Sequence, residues 1–166
     1  MSTDEPNAGP PPPAAVDAMQ GVIDATLDAL DLDGEVAVLE GEEDEVVVRV
    51  STEHAEPLIG RGGATIDALQ YVVSQSAQRA GDGWRRRIVV DVNDYRQKRI
   101  EALEALAKRA AEEAVSYEEE IELDAMNPAE RRIIHMALRD NDAVETRSEG
   151  EEPRRCVVVV PVAEQA

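Results

Sequence analysis

The chain has 166 residues, 43% of them hydrophobic but only 2% aromatic, and a formal net charge of −19. That length holds one ordinary domain or two small ones, and with one tryptophan, three tyrosines and no phenylalanine the core has to be built from Val, Ile, Leu and Ala. The single cysteine, Cys156, excludes an internal disulfide framework; with no apolar run of membrane-spanning length and no signal-peptide pattern, the expectation is a cytoplasmic chain without stable membrane insertion.

The acidic total argues against a polyanionic partner only if charge is spread evenly, and it is not. Residues 1–56 carry 15 acidic side chains against Arg49 alone, whereas residues 57–109 carry ten basic and six acidic ones. Residues 110–126 hold seven acids and no base, and residues 127–166 hold six arginines and eight acids. Local potential governs binding more than the total does.

In chain order, residues 1–15 read as a disordered Pro-rich tail, with Pro10 to Pro13 favouring polyproline II. From Val16 the apolar residues Met19, Val22, Ile23, Leu27 and Leu30 recur at helical spacing, and Gly34 stops them. Val36–Leu39 and Val46–Val50 are β-branched runs around an acidic turn, a hairpin pattern. A brief helix over Glu53–Ile59 leads into Gly60-Arg61-Gly62-Gly63, and Ile66, Leu69, Val73 and Ala80 mark one face of the helix that follows. Arg86–Val92 alternates as a strand. Asp94 opens another helix, with Gln97 at capping-box spacing, and Ile121–Leu123 is a short strand. Asn127-Pro128-Ala129-Glu130 is a helix start with Asn at N-cap, Pro at N1 and Glu at N3, and strands over 144–147 and 156–162 close the chain.

Three groups carry chemistry. The first is the glycine turn, where the backbone can approach a ligand closely and the following helix offers N–H groups and a partial positive charge to a phosphate. It lacks the lysine of a nucleotide-binding loop, since Gly63-Ala64-Thr65 stands where Gly-Lys-Ser/Thr is needed, and it lacks a glycine at the sixth position of a dinucleotide fingerprint. What remains is either a clamp for a sugar-phosphate backbone or a tight helix–helix turn. The second is Arg131 and His135, one helical turn apart, with Arg139 extending the stripe; alone such a stripe is more often a solvated helix face. The third is Arg85, Arg86 and Arg87 with Arg96, Lys98 and Arg99 downstream, a candidate phosphate patch. Trp84 reads as a hydrophobic plug rather than a base-stacking platform. His54, His135 and Cys156 match no zinc pattern and the acidic runs no calcium loop, so neither metal, cofactor nor catalytic site is expected.

Leu58–Val73 (LIGRGGATIDALQYVV) resembles the KH domain, a single-strand RNA-binding module whose Gly-x-x-Gly loop clamps about four nucleotides. Asn127–Leu138 (NPAERRIIHMAL) resembles the R-three-H domain, named for its Arg-x-x-x-His and associated with single-stranded nucleic acid. Their order, over roughly residues 17–162, is that of the Jag, or SpoIIIJ-associated, family.

The resemblance implies an α+β chain with a type II KH domain over 16–93 (a three-stranded sheet with helices on one face) and a small α+β R-three-H domain over 94–163. It implies a non-catalytic RNA-binding protein, a bacterial post-transcriptional regulator linked to cell elongation and division. Its RNA contacts would be Ile59, Gly60, Arg61, Gly62, Gly63, Thr65 and Ile66 in the KH loop and groove, with bases along the Ile88–Val92 strand. Arg131, His135 and Arg139 would serve the second module. It further implies a second small KH protein or a homodimer as partner, and a short form without the N-terminal domain that members often carry. The position of Gly62 is usually basic in that family, so part of the attraction for phosphate is lost. The competing expectation is an adaptor that uses its KH module for dimerisation.

Overall fold

A computed structural model describes residues 9–42 and 44–162. The chain divides into two compact units, residues 1–95 and 96–166.

The first unit runs α1 (Pro13–Ala29), β1 (Gly34–Glu40), β2 (Glu45–Thr52), α2 (Glu56–Ile59), a 3₁₀ turn (Arg61–Gly63), α3 (Ala64–Ala80) and β3 (Arg87–Val92). The strands form one sheet in the order β1-β2-β3, with β1 antiparallel and β3 parallel to β2. Alternation decides which face is dry: Val46, Val48 and Val50 of β2 and Ile88, Val90 and Val92 of β3 are buried. They join Met19, Ile23 and Leu27 of α1 and Ile66, Leu69 and Val73 of α3 in one aliphatic core, so both long helices cover the same sheet face.

Helix α1 begins at Pro13, earlier than the tail reading of residues 1–15 allowed. Pro12 is extended (φ −65°, ψ 151°) and Pro13 takes the first helical position, where a missing N–H costs nothing. Gly9 is held too, its carbonyl accepting a 3.1 Å hydrogen bond from Trp84 Nε1. Residues 1–8 of that expected tail lie outside the described residues. Trp84 itself is 1% exposed and fills the α3–β3 corner, a plug as its position in the sequence implies.

The second unit contains α4 (Tyr95–Tyr117, starting at the end of the first unit), β4 (Ile121–Glu122), α5 (Pro128–Leu138), β5 (Val144–Glu149) and β6 (Cys156–Pro161). Its antiparallel sheet has the order β4-β6-β5. Central β6 is buried from Cys156 through Val159, as a continuous apolar run requires. Leu103, Ala107, Ala110, Ala111 and Ala114 of α4 join Ile134 and Leu138 of α5 in its core. Asn127 caps α5 in a closed capping box: its side chain accepts from the Glu130 N–H while the Glu130 carboxylate accepts from the Asn127 N–H. No described helix is long and apolar enough to cross a membrane, and no described group of His, Cys, Asp and Glu is placed to hold a metal ion.

Candidate nucleic-acid interface

The glycine turn has a backbone that only glycine adopts easily. Gly60 lies at φ 70°, ψ 179°, Gly62 at φ 59°, ψ 25° and Gly63 at φ 82°, ψ 9°. A Cβ on Gly60 would stand 2.1 Å from Thr65 Oγ1 and 2.9 Å from the Thr65 backbone nitrogen. One on Gly63 would stand 3.2 Å from Tyr95 Cε1. The loop is therefore folded tightly onto the first turn of α3, and the Tyr95 ring backs it. Tyr95 is absent from the sequence-level site; the clue was its rarity, as one of four aromatic residues in the chain. The N-cap of α3 is Gly63, which has no side chain with which to cap the helix.

Arg61, Gly62, Ala64 and Thr65 are exposed, Ile59 and Gly60 are half-buried, and Gly63 is buried. Ile66, expected in the groove, is fully buried, as is Val90, and Ile88 and Val92 are buried with them. These side chains hold the sheet under α3 and present no apolar surface to a base, so that expectation is corrected: the hydrophobic face belongs to the core.

The arginine patch divides in the same way. Arg86 is a structural residue, with 5% of its side chain exposed. It pairs with Glu40 at 2.8 Å and Asp44 at 2.9 Å and donates to the Asp44 and Glu45 carbonyls, tying the β1–β2 turn to the start of β3. Arg87 is exposed and paired with Glu45 at 2.6 Å, and Arg85 is exposed. Arg96 is half-buried. Arg99 donates to the buried Glu130 carboxylate at 2.7 Å and so supports the α5 cap instead of a ligand.

In the second unit Arg131 and His135 share one face of α5, as their spacing requires, but that face is turned inward. Arg131 is 8% exposed. Its Nη1 donates to the Met126 carbonyl at 2.8 Å and its Nη2 to Glu152 Oε1 at 2.6 Å. His135 lies between two hydroxyls of β5, with Nδ1 2.6 Å from Thr146 Oγ1 and Nε2 2.9 Å from Ser148 Oγ. Burial first, and the Arg131 charge second, push the imidazole below its ordinary value of 6.5, so near neutral pH the ring is uncharged. Thr146 and Ser148 were missed in the sequence; their i, i+2 spacing on one strand face was the signal. Arg139 is exposed and pairs with Asp140 at 3.1 Å. Cys156 is buried and its thiol pushed up, chiefly by burial, as a core residue.

Comparison with known proteins matches two family models in sequence. The KH domain of KhpA/KhpB matches residues 18–88, and the R-three-H domain matches residues 101–161. Among curated relatives, a Clostridium symbiosum protein named RNA-binding protein KhpB is 38% identical over 145 residues, covering 87% of this chain and 64% of the relative. A protein of the same name from Lactiplantibacillus plantarum is 40% identical over 102 residues, 61% of this chain and 31% of the relative. The Bacillus subtilis protein of that name is 35% identical over 112 residues, 66% of this chain and 53% of the relative. This chain thus spans less than two thirds of the length of each.

Proposed function

This chain belongs to the KhpB (Jag) family, a KH domain followed by an R-three-H domain, and from that premise we propose that it binds single-stranded RNA without catalysing a reaction on it. The observation that carries the reading is the glycine turn. Three positive-φ glycines bring the backbone against the N-terminus of α3 beside exposed Arg61, an arrangement suited to one or two phosphates. Bases would lie over the exposed side of the loop and α3, not against the buried Ile66 and Val90. The modules are assigned to residues 16–93 and 94–163, the location to the cytoplasm, and the role to post-transcriptional control bearing on cell elongation or division.

Filter binding of pooled cellular RNA at two salt concentrations tests this. Measurable affinity that falls with salt is expected, and replacing Arg61 and Gly62 with Asp should remove most of it. Unchanged affinity in that variant refutes the clamp. A second reading, an adaptor that pairs through the KH module, is favoured by Tyr71 and Val72, 67% and 48% exposed on α3. It predicts no RNA affinity at either salt and a dimer by sedimentation.

A further inference from the structure

Arg131 is the named arginine of its motif, yet its guanidinium is already occupied. Its two partners are unlike. The Met126 carbonyl is a backbone group in the segment leading into α5, fixed by the fold. Glu152 belongs to the β5–β6 turn and keeps 53% of its side chain exposed, against 10% for Arg131. One partner is an anchor and the other is a carboxylate reaching in from water. A carboxylate and a phosphodiester each present one negative charge and oxygen acceptors to a guanidinium, and the fork-shaped cation accepts either.

We propose that Glu152 is an internal competitor for phosphate: in the free protein it occupies the position on Arg131 that an RNA phosphate takes on binding, and RNA engages the second module by displacing it. The proposal rests on the RNA-binding reading. Exchange leaves Arg131 held by Met126, so the guanidinium stays aimed while its outer partner changes. His135 is fixed by Thr146 and Ser148 whichever anion is present. The fully bound state is open to RNA only for the fraction of molecules in which the Glu152 contact is broken, and apparent affinity falls by that fraction. For a half-exposed ion pair the penalty is on the order of fivefold.

The test measures binding of a fluorescent single-stranded RNA pool to the full chain and four variants. Glu152→Gln keeps the shape and removes the charge, and is expected to bind about fivefold tighter. Glu151→Gln removes an exposed charge of the same turn that has no part in the latch, and measures the general gain from lost repulsion, expected to be well under twofold. Arg131→Ala, alone and combined with Glu152→Gln, should bind equally, because without the guanidinium nothing is released. Far-ultraviolet circular dichroism and melting establish that each variant is folded; if Arg131→Ala does not fold, the uncharged Arg131→Gln replaces it in the same comparison. Equal gains in Glu151→Gln and Glu152→Gln, or a Glu152→Gln gain that persists without Arg131, overturns the competitor while RNA binding stands. Absence of RNA binding in every protein overturns both.

Discussion

Gly60→Ala isolates what the loop backbone requires. At φ 70°, ψ 179° the residue occupies a region open essentially to glycine alone, worth about 1–3 kcal/mol of strain for any other residue. The added methyl would also meet Thr65 Oγ1 at 2.1 Å, Thr65 Cβ at 2.8 Å and the Thr65 nitrogen at 2.9 Å. A rotation of the Thr65 side chain moves the hydroxyl but neither Cβ nor the backbone, so α3 or the loop has to shift, at an overpacking cost of about 1–3 kcal/mol. Together about 4 kcal/mol of destabilisation is expected, which for a unit of this size lowers the melting temperature by about 16–32 °C. Gly62→Ala is the comparison. Gly62 sits in the left-handed helical region (φ 59°, ψ 25°) and is exposed, so only the backbone term of about 1–2 kcal/mol applies. Thermal unfolding followed by circular dichroism on the full chain reads both. If Gly60→Ala melts within a few degrees of the parent, or no lower than Gly62→Ala, the tight fold of the loop onto α3 is wrong.

Three further outcomes follow from the geometry. His135 has its folded pKa depressed, so the unfolded chain binds its proton more readily. Stability of the second unit should be level from pH 8 to about 7 and fall as the pH drops through about 6.5; urea midpoints of parent and His135→Gln across pH 5.5–8 test this, and a pH-independent difference between them refutes it. Arg86→Ala removes a guanidinium bonded to two carboxylates and two carbonyls, with an expected loss of about 2–3 kcal/mol, whereas exposed Arg85→Ala should stay within about 0.5 kcal/mol; equal losses in urea unfolding contradict the division of the patch. Trp84, the only tryptophan, is buried, so its emission should not change when RNA saturates the protein; quenching that tracks binding would restore it as a stacking platform.

Periodicity made the elements legible. Alternating valines mark β2 and β3, the 3.6-residue recurrence marks α1 and α3, and the Asn-Pro-Ala-Glu start of α5 closes the box its spacing implies. The α+β architecture follows from those signals. What periodicity leaves open is the direction each functional side chain takes. Ile66 stands beside the loop in sequence, and only the packing of α3 over β3 shows that it faces the core. Arg131 and His135 sit on one helix face under any reading; whether that face meets water or protein depends on β5 and the β5–β6 turn, which lie up to 21 residues downstream. Charge has the same difficulty: Arg85, Arg86 and Arg87 are adjacent letters, yet only Arg86 is buried against Glu40 and Asp44, while Arg87 reaches Glu45 from the surface. The helix start at Pro13 was obscured because a proline run reads as extended until its last member is recognised as an N1 residue.

The distribution of partners also bears on the total of −19. Among the described residues, Arg86 meets Glu40 and Asp44, Arg87 meets Glu45, Arg99 meets Glu130, Arg131 meets Glu152, Arg139 meets Asp140, and Arg147 meets Glu120 and Glu149. Cations so paired contribute little potential at a distance, and the unpaired excess on the chain is acidic. Long-range steering of a polyanion is therefore weak, and encounter is slow compared with a basic RNA-binding surface. On the proposed RNA-binding reading, affinity would come after contact, from the shape of the Gly60–Gly63 turn and from the proposed exchange of the Glu152 carboxylate for a phosphate. A binder of this kind neutralises few phosphates, so its affinity changes with salt by a shallow slope, close to 0.7 per phosphate contacted on a single strand. On the same reading Gly62, a second positive-φ glycine of the loop, would let closeness of the backbone stand in for a missing charge.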